Sequence, residues 1–220
     1  MKEVGRGGWI TATKFLDEAP GNWSDVEIKE LLDTAEEAVE ESVKDQNIRG
    51  RVIRKRRSVG MVPMPGQNIS REALDETVLR CQTKLTSLNN GTGPTLPFCA
   101  FNGGKDVWVD AGNKKVAVRV LGAYLDVDPS ETLHIGDQFL NTGNDFAARA
   151  VCPCIWITSP TETTYILKTI LRLAGVPFQL ENEKEAVAIL SGNTKVDFAE
   201  MHRRVTVVQE MDVYTGEMKK

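Results

Sequence analysis

The chain has 220 residues, 41% apolar and 26% charged, with a net charge of −4. That length suits one substantial domain or a core domain with a smaller companion, and the mild acidity gives no reason to expect nucleic acid or an anionic membrane surface as a partner. No apolar run approaches the roughly 20 residues that span a bilayer. The opening Met-Lys-Glu-Val-Gly-Arg leads into no signal-like apolar core, so a cytoplasmic protein is expected. Cys81, Cys99, Cys152 and Cys154 include one C-x-C but no second pair at zinc-site spacing. They are expected to be reduced, structural thiols.

In chain order, Ser24-Asp-Val-Glu27 is a capping box. It opens a helix with Val26, Ile28, Leu31, Leu32, Ala35, Val39 and Val43 as its apolar stripe, opposite a strongly acidic face. Arg51–Arg54 and Ser58–Val62 read as short strands, ended by Pro63 and Pro65. Ser70 caps a second helix carrying Leu74, Val78, Cys81, Leu85 and Leu88, and Asn89-Asn90-Gly91 stops it. After a polar connector the rhythm becomes strand, helix, strand, short helix, strand, helix. The predicted pieces are Val107–Asp110, Lys114–Leu125, Thr132–Ile135, Asn144–Ala150, Cys154–Ile157 and a helix opened by the box Ser159-Pro-Thr-Glu162 and ended by Gly175. This spacing predicts an α/β unit with parallel pairing, in which ligands sit at the carboxyl ends of the strands. Glu183–Leu190 could be a helix and Val205–Val208 a strand, without a repeating logic. The expected division is 1–97 (α+β), 98–176 (α/β) and an unassigned tail, 177–220.

Two stretches could carry chemistry. Ile135-Gly-Asp137 runs from a strand into a glycine and a carboxylate, a place for a hard oxygen ligand to Mg²⁺. Many such aspartates only cap turns, but Gly143-Asn144-Asp145 adds a second glycine and carboxylate before a helix start, where negative charge is favoured. Upstream, Asp106 and Asp110 flank Trp108 near a strand end, and Lys114 begins a helix. A lysine there opposes the helix dipole at a cost of about 0.3–1 kcal/mol. It makes sense facing a phosphate, or as half of an exposed Lys114-Lys115 pair. Trp108 could stack on a base or simply pack. His134 and Trp156 lie inside apolar strands and are expected in the core, His134 hydrogen-bonded. The basic run Arg54–Arg57 reads as exposed hairpin side chains, with a phosphate gate as the less favoured reading.

The segments Phe101-Asn-Gly-Gly-Lys-Asp-Val-Trp-Val-Asp-Ala-Gly-Asn-Lys114 and Leu133-His-Ile-Gly-Asp-Gln-Phe-Leu-Asn-Thr-Gly-Asn-Asp-Phe-Ala-Ala-Arg149 closely resemble the C-terminal half of the IMP-specific 5′-nucleotidases. Arg54 to Pro65 resembles that family's cap region. The resemblance, which runs from about Trp9 to Val176, implies a Rossmann-like parallel sheet of haloacid dehalogenase type with an α+β cap, 1–97 being cap and 98–176 the C-terminal half of the core. It implies Mg²⁺-dependent hydrolysis of inosine 5′-monophosphate to inosine and phosphate. Asp137 would ligate Mg²⁺, Lys114 would stabilise the transferring phosphoryl group, and Asp106 and Asp110 would line the nucleotide pocket. It also implies a homo-oligomer when full length, with ATP regulation.

One departure limits this reading. The superfamily reaction needs an Asp-x-Asp after an apolar strand, whose first carboxylate attacks phosphorus while the second serves as acid and base. The only Asp-x-Asp in the sequence is Asp126-Val-Asp128. It is too close to the strand at Thr132 for a parallel crossover of about a dozen residues. Asp212-Val-Tyr puts a tyrosine where the second acid belongs. The expectation is a fragment with half a site, inactive alone. The alternatives are another cap-bearing phosphatase, of sugar phosphates for example, or a non-catalytic nucleotide-binding remnant.

Overall fold

The computed structural model describes residues 20–175. They fall into two compact units, one of residues 20–134 and 138–153, the other of 135–137 and 154–175.

The first unit opens on helix α1 (Asp25–Asp45). The Ser24 hydroxyl accepts from the Val26 N–H at 3.2 Å, and the Glu27 carboxylate accepts from the Ser24 N–H at 3.3 Å. These bonds satisfy donors that a helix start leaves orphaned. Ile28, Leu31, Leu32, Ala35 and Val39 are buried as expected, but Val26 is 74% exposed. At about 100° per residue it lies some 200° from Ile28, off the apolar stripe. Helix α2 (Arg71–Thr86), capped by Ser70, buries Leu74, Val78, Cys81 and Leu85. A single turn, α3 (Leu88–Gly91), ends that run, with Asn89 and Asn90 in left-handed backbone (φ 52° and 59°).

Both helices pack on one face of a four-stranded antiparallel sheet of β1 (Gly50–Arg54), β2 (Ser58–Pro63), β3 (Phe98–Asn102) and β4 (Val107–Ala111), in the order β1-β2-β4-β3. Val59, Met61, Ala100, Val107 and Val109 point into the helices and are buried. Strand alternation therefore turns Ser58, Gly60, Cys99, Phe101, Trp108 and Asp110 to the opposite, open face. In the register, Gly60 and Phe101 flank Trp108, while Ser58 and Cys99 flank Asp110.

The sheet runs across residue 97, where the sequence reading divided the chain. Val107–Asp110 was expected in a parallel core, yet β3 and β4 form an antiparallel hairpin. Gly104 makes its turn at φ +92°, and the Gly103 N–H donates to the Asp106 carbonyl at 2.9 Å. Helix α4 (Lys114–Leu125) follows β4 directly.

The two-stranded sheet pairs β5 (His134–Gly136), of which His134 itself belongs to the first unit, with β6 (Cys154–Trp156) of the second unit, where helix α5 (Pro160–Leu173) follows. Ladder bonds at the two ends, His134 N–H to Pro153 and Ile157 N–H to Gly136, advance the same way along both strands, so this pair is parallel. The fold is thus mixed α/β, and its larger described sheet is antiparallel. At α5 the Ser159 hydroxyl accepts from the Glu162 N–H, but the buried Glu162 carboxylate takes the N–H and hydroxyl of Thr158, not the Ser159 N–H that a capping box would use. No helix among the described residues is long and apolar enough to cross a membrane. The expected tail, 177–220, lies outside the described residues.

Leu31 on the buried stripe of α1 and Val26 off it give a direct check. Leu31→Ala should lower unfolding free energy by about 2–5 kcal/mol in urea titration, whereas Val26→Ala should change it by less than about 0.5 kcal/mol. Similar losses from both would contradict the packing described.

Candidate functional site

Where β4 gives way to α4, Gly112 turns at φ +105°, and a Cβ there would lie 2.9 Å from a Trp23 ring carbon. Glycine alone meets both conditions comfortably. Asn113 then caps α4, its side-chain Oδ1 accepting from the Val116 N–H at 3.2 Å. The turn sets Lys114 at the first helical position, against the helix dipole. Two acceptors from the loop before β6 offset that cost. The Lys114 ammonium donates to Asp145 Oδ1 at 2.5 Å and to Asn144 Oδ1 at 2.9 Å. An ammonium has three donors, so one remains on a side chain that is 39% exposed. That side chain lines a cavity of about 680 Å³, together with Trp23, Phe101, Asp110, Val120 and Tyr124.

Asp145 is fully buried. Besides Lys114, its Oδ1 faces His134 Nε2 at 2.6 Å, and its Oδ2 accepts from the Gln138 N–H at 2.9 Å. Its own N–H donates back to the Gln138 carbonyl at 3.0 Å. Gly143 completes this fold of the loop, since a Cβ there would collide with the Gln138 carbonyl. Burial pushes the Asp145 pKa up, but the bonds from Lys114, His134 and Gln138 outweigh it and hold the carboxyl below the ordinary value. Because the ionised oxygen only accepts, His134 Nε2 carries a proton. The imidazole also stands edge-on to Phe139, 5.7 Å between centroids. His134 is thus the hydrogen-bonded histidine expected from sequence, and its partner is the site's carboxylate.

The predicted site residues divide among three places. Asp110 and Lys114 line the same cavity. Burial raises the Asp110 pKa, and the charge of Lys55 pulls it back. Asp106 lies at the other end of β4, its carboxylate against Gly103 in the hairpin turn. Asp137 is exposed and follows β5 in the second unit, where its backbone carbonyl accepts from Trp156 Nε1 at 2.8 Å. Trp156 therefore holds the glycine–aspartate turn. Asp145 and Asn144 were not among the predicted site residues. The signal was the second Gly-x-Asp after the Gly-Asp motif, but nothing in an irregular loop fixes which carboxylate folds inward.

Other candidates have structural partners. Arg54 pairs with Asp33 at 3.0 Å and Glu36 at 2.7 Å, and Arg57 donates to the Pro20 carbonyl at 3.2 Å and stacks on Trp23. Asp126 is the left-handed C-cap of α4, and Asp128 caps the following turn. Cys99 lines the cavity, but burial first, and then the charge of Asp110, push its thiol up to about 12, which leaves it protonated and poorly nucleophilic. Among the described residues no three His, Cys, Asp or Glu side chains group as a metal site.

Because the folded-state pKa of Asp145 is depressed, its contribution to stability is present above the unfolded value of about 3.9 and is lost as pH falls through the folded value. Asp145→Asn should cost about 1.5–3 kcal/mol at pH 7, and its deficit relative to wild type should shrink below about pH 4. A deficit unchanged between pH 7 and pH 3, by denaturant titration, would show that the carboxylate charge is not what matters.

The chain is similar to known proteins. A profile of the IMP-specific 5′-nucleotidases matches residues 4–167. IMP-specific 5′-nucleotidase 1 of Schizosaccharomyces pombe is 43% identical over 161 residues, covering 72% of this chain and 39% of the relative. The Yarrowia lipolytica protein of the same name is 41% identical over 165 residues, covering 74% and 39%. Among solved structures, an N-terminally truncated, IMP-bound IMP-nucleotidase of Plasmodium falciparum superposes with a TM-score of 0.67 at 33% identity, over 74% of this chain and 42% of that one. The ATP-bound form of the Plasmodium falciparum protein gives 0.59 at 37% identity, over 69% and 35%. The chain spans about two-fifths of the length of the curated relatives. It belongs to the IMP-specific 5′-nucleotidase family.

Proposed function

We propose that the chain supplies the phosphate- and ribose-facing side of an IMP 5′-phosphatase site of haloacid dehalogenase type, which releases inosine and phosphate once a nucleophilic Asp-x-Asp is added. The observation that carries this reading is the Lys114 ammonium, fixed by buried Asp145 and by Asn144 at the edge of a large cavity with one donor left over. That donor suits a phosphoryl oxygen, and the fixed cation would offset the charge that shifts during transfer without having to reorganise. Asp110, partly desolvated beside it, can accept from a ribose hydroxyl or a base N–H. Asp106, in the hairpin turn before β4, is the second such acceptor that the family resemblance implies.

Mg²⁺ commonly uses one or two carboxylates, with waters and substrate phosphate completing the shell. Asp137 fits as one such ligand, being exposed at a strand end, but it does not make a firm site alone. The second carboxylate would come with the nucleophile. Bound there, the metal would neutralise phosphate charge. The family favours IMP over the sugar phosphates of the alternative reading. Regulation by ATP finds support in the ATP-bound relative, and a homo-oligomer is part of the same proposal.

Binding separates these roles from chemistry. The purified chain should bind IMP at least about tenfold more tightly than inosine, one charge-assisted bond being worth about 1.5–3 kcal/mol. Lys114→Ala should bring IMP down to the inosine level in calorimetry. Equal affinities in the wild type would count against the phosphate role. The chain with Mg²⁺ should release no phosphate from IMP; turnover that Asp137→Asn abolishes would overturn the half-site reading.

A further inference from the structure

His134 occupies a place that packing alone would give to an aliphatic side chain. It begins β5 between Leu133 and Ile135, and its N–H donates to the Pro153 carbonyl at 2.9 Å. Its ring stands edge-on to Phe139, which is buried. A leucine there would pack on Phe139 and bring no polar group to satisfy. The imidazole instead directs its Nε2 proton at Asp145 Oδ1, 2.6 Å away, the same oxygen that receives the Lys114 ammonium. The Gln138 N–H takes Oδ2 at 2.9 Å, so Asp145 is held at both oxygens before Lys114 is counted. Lys114 lines the cavity, and neither Asp145 nor His134 does.

We propose that His134 is a positioning residue for phosphate recognition: its hydrogen bond draws part of the Asp145 charge away from Lys114 and leaves the ammonium available to an incoming oxyanion. This rests on the phosphate reading of Lys114 given above and adds what sets the strength of that cation. The bond acts by charge and by orientation. A donor on an ionised carboxylate stabilises the charged form and lowers its basicity, so the carboxylate pulls less strongly on the neighbouring ammonium. The same donor offsets negative charge that would repel a phosphate seated on Lys114, a repulsion that a buried group screens poorly. Orientation follows from the two fixed oxygens. With His134 and Gln138 setting the carboxylate plane, Lys114 can turn its third donor to a ligand without Asp145 following it. A neutral imidazole suffices, because the role needs only the Nε2 proton.

Calorimetry of the whole chain with IMP and with inosine separates the phosphate share of binding from the rest. His134→Leu should lower the IMP-to-inosine affinity ratio by about threefold or more, as expected for partners in one hydrogen-bond network. His134→Gln, whose amide N–H can reach the same oxygen, should keep the ratio within about twofold of wild type. In the Lys114→Ala background, His134→Leu should no longer move it. In nitrogen-resolved NMR of the wild type, the His134 Nε2–H signal should shift on saturation with IMP and hold its place with inosine. A side chain that only packs would lower stability without moving either readout. A ratio unchanged in His134→Leu, lowered equally in His134→Gln, or lowered as much without Lys114 would each overturn the proposal. The NMR shift needs no variant, and its absence would overturn it as well. Failure of the phosphate reading itself would appear instead as a wild-type ratio near one, before any substitution at His134.

Discussion

A carboxylate with no exposure to water is stable as an anion only if its lone pairs are filled, and Asp145 organises the site by meeting that demand. Lys114 and His134 share one of its oxygens and the Gln138 N–H takes the other. The three partners come from the start of α4, from β5 and from the loop that follows it, so satisfying one buried charge fixes three separate pieces of chain. The converse also holds. Without the carboxylate, an ammonium would face the positive end of a helix dipole with only Asn144 to receive it.

The scaffold beneath this cluster is ordinary and rigid. Two capped helices cover one face of an antiparallel sheet and bury Val59, Met61, Val107 and Val109 completely. The same alternation that fills the core presents Trp108 and Asp110 on the other face. Further bonds tie the site loop to this scaffold. The Asn102 N–H donates to the Thr142 carbonyl at 2.8 Å, and the Gln82 amide donates to the Asn141 carbonyl at 2.7 Å. The unpaired edge of β3 is thereby partly satisfied by the very loop that carries Asn144 and Asp145.

Much of this was legible from sequence where a local rule decides the outcome. Ser24 and Glu27 mark a helix start by chemistry that acts over three residues, and Ser70 marks another. The Asn-Asn-Gly stop is equally local. What was not legible depends on partners distant in sequence. The strand–helix rhythm after residue 97 points to a parallel strand at Val107–Asp110, whereas the apolar run on each side of Gly103-Gly104 is a hairpin signal, and the hairpin sets β4 in the antiparallel sheet. Asp137 stood out because it follows a strand and a glycine. Asp145 did not, because its importance comes from burial, which depends on Lys114 arriving from 31 residues away. The glycine at 60 likewise has no local reason to be there until Trp108 is placed over it.

The proposed role of Lys114, held by Asp145 and Asn144, is to receive the 5′-phosphate. A crystal structure of the chain with IMP tests this directly. A phosphate oxygen should lie within about 3 Å of the Lys114 ammonium, with the bonds to Asp145 and Asn144 intact. IMP bound with its phosphate away from a Lys114 that keeps its present partners would contradict the account.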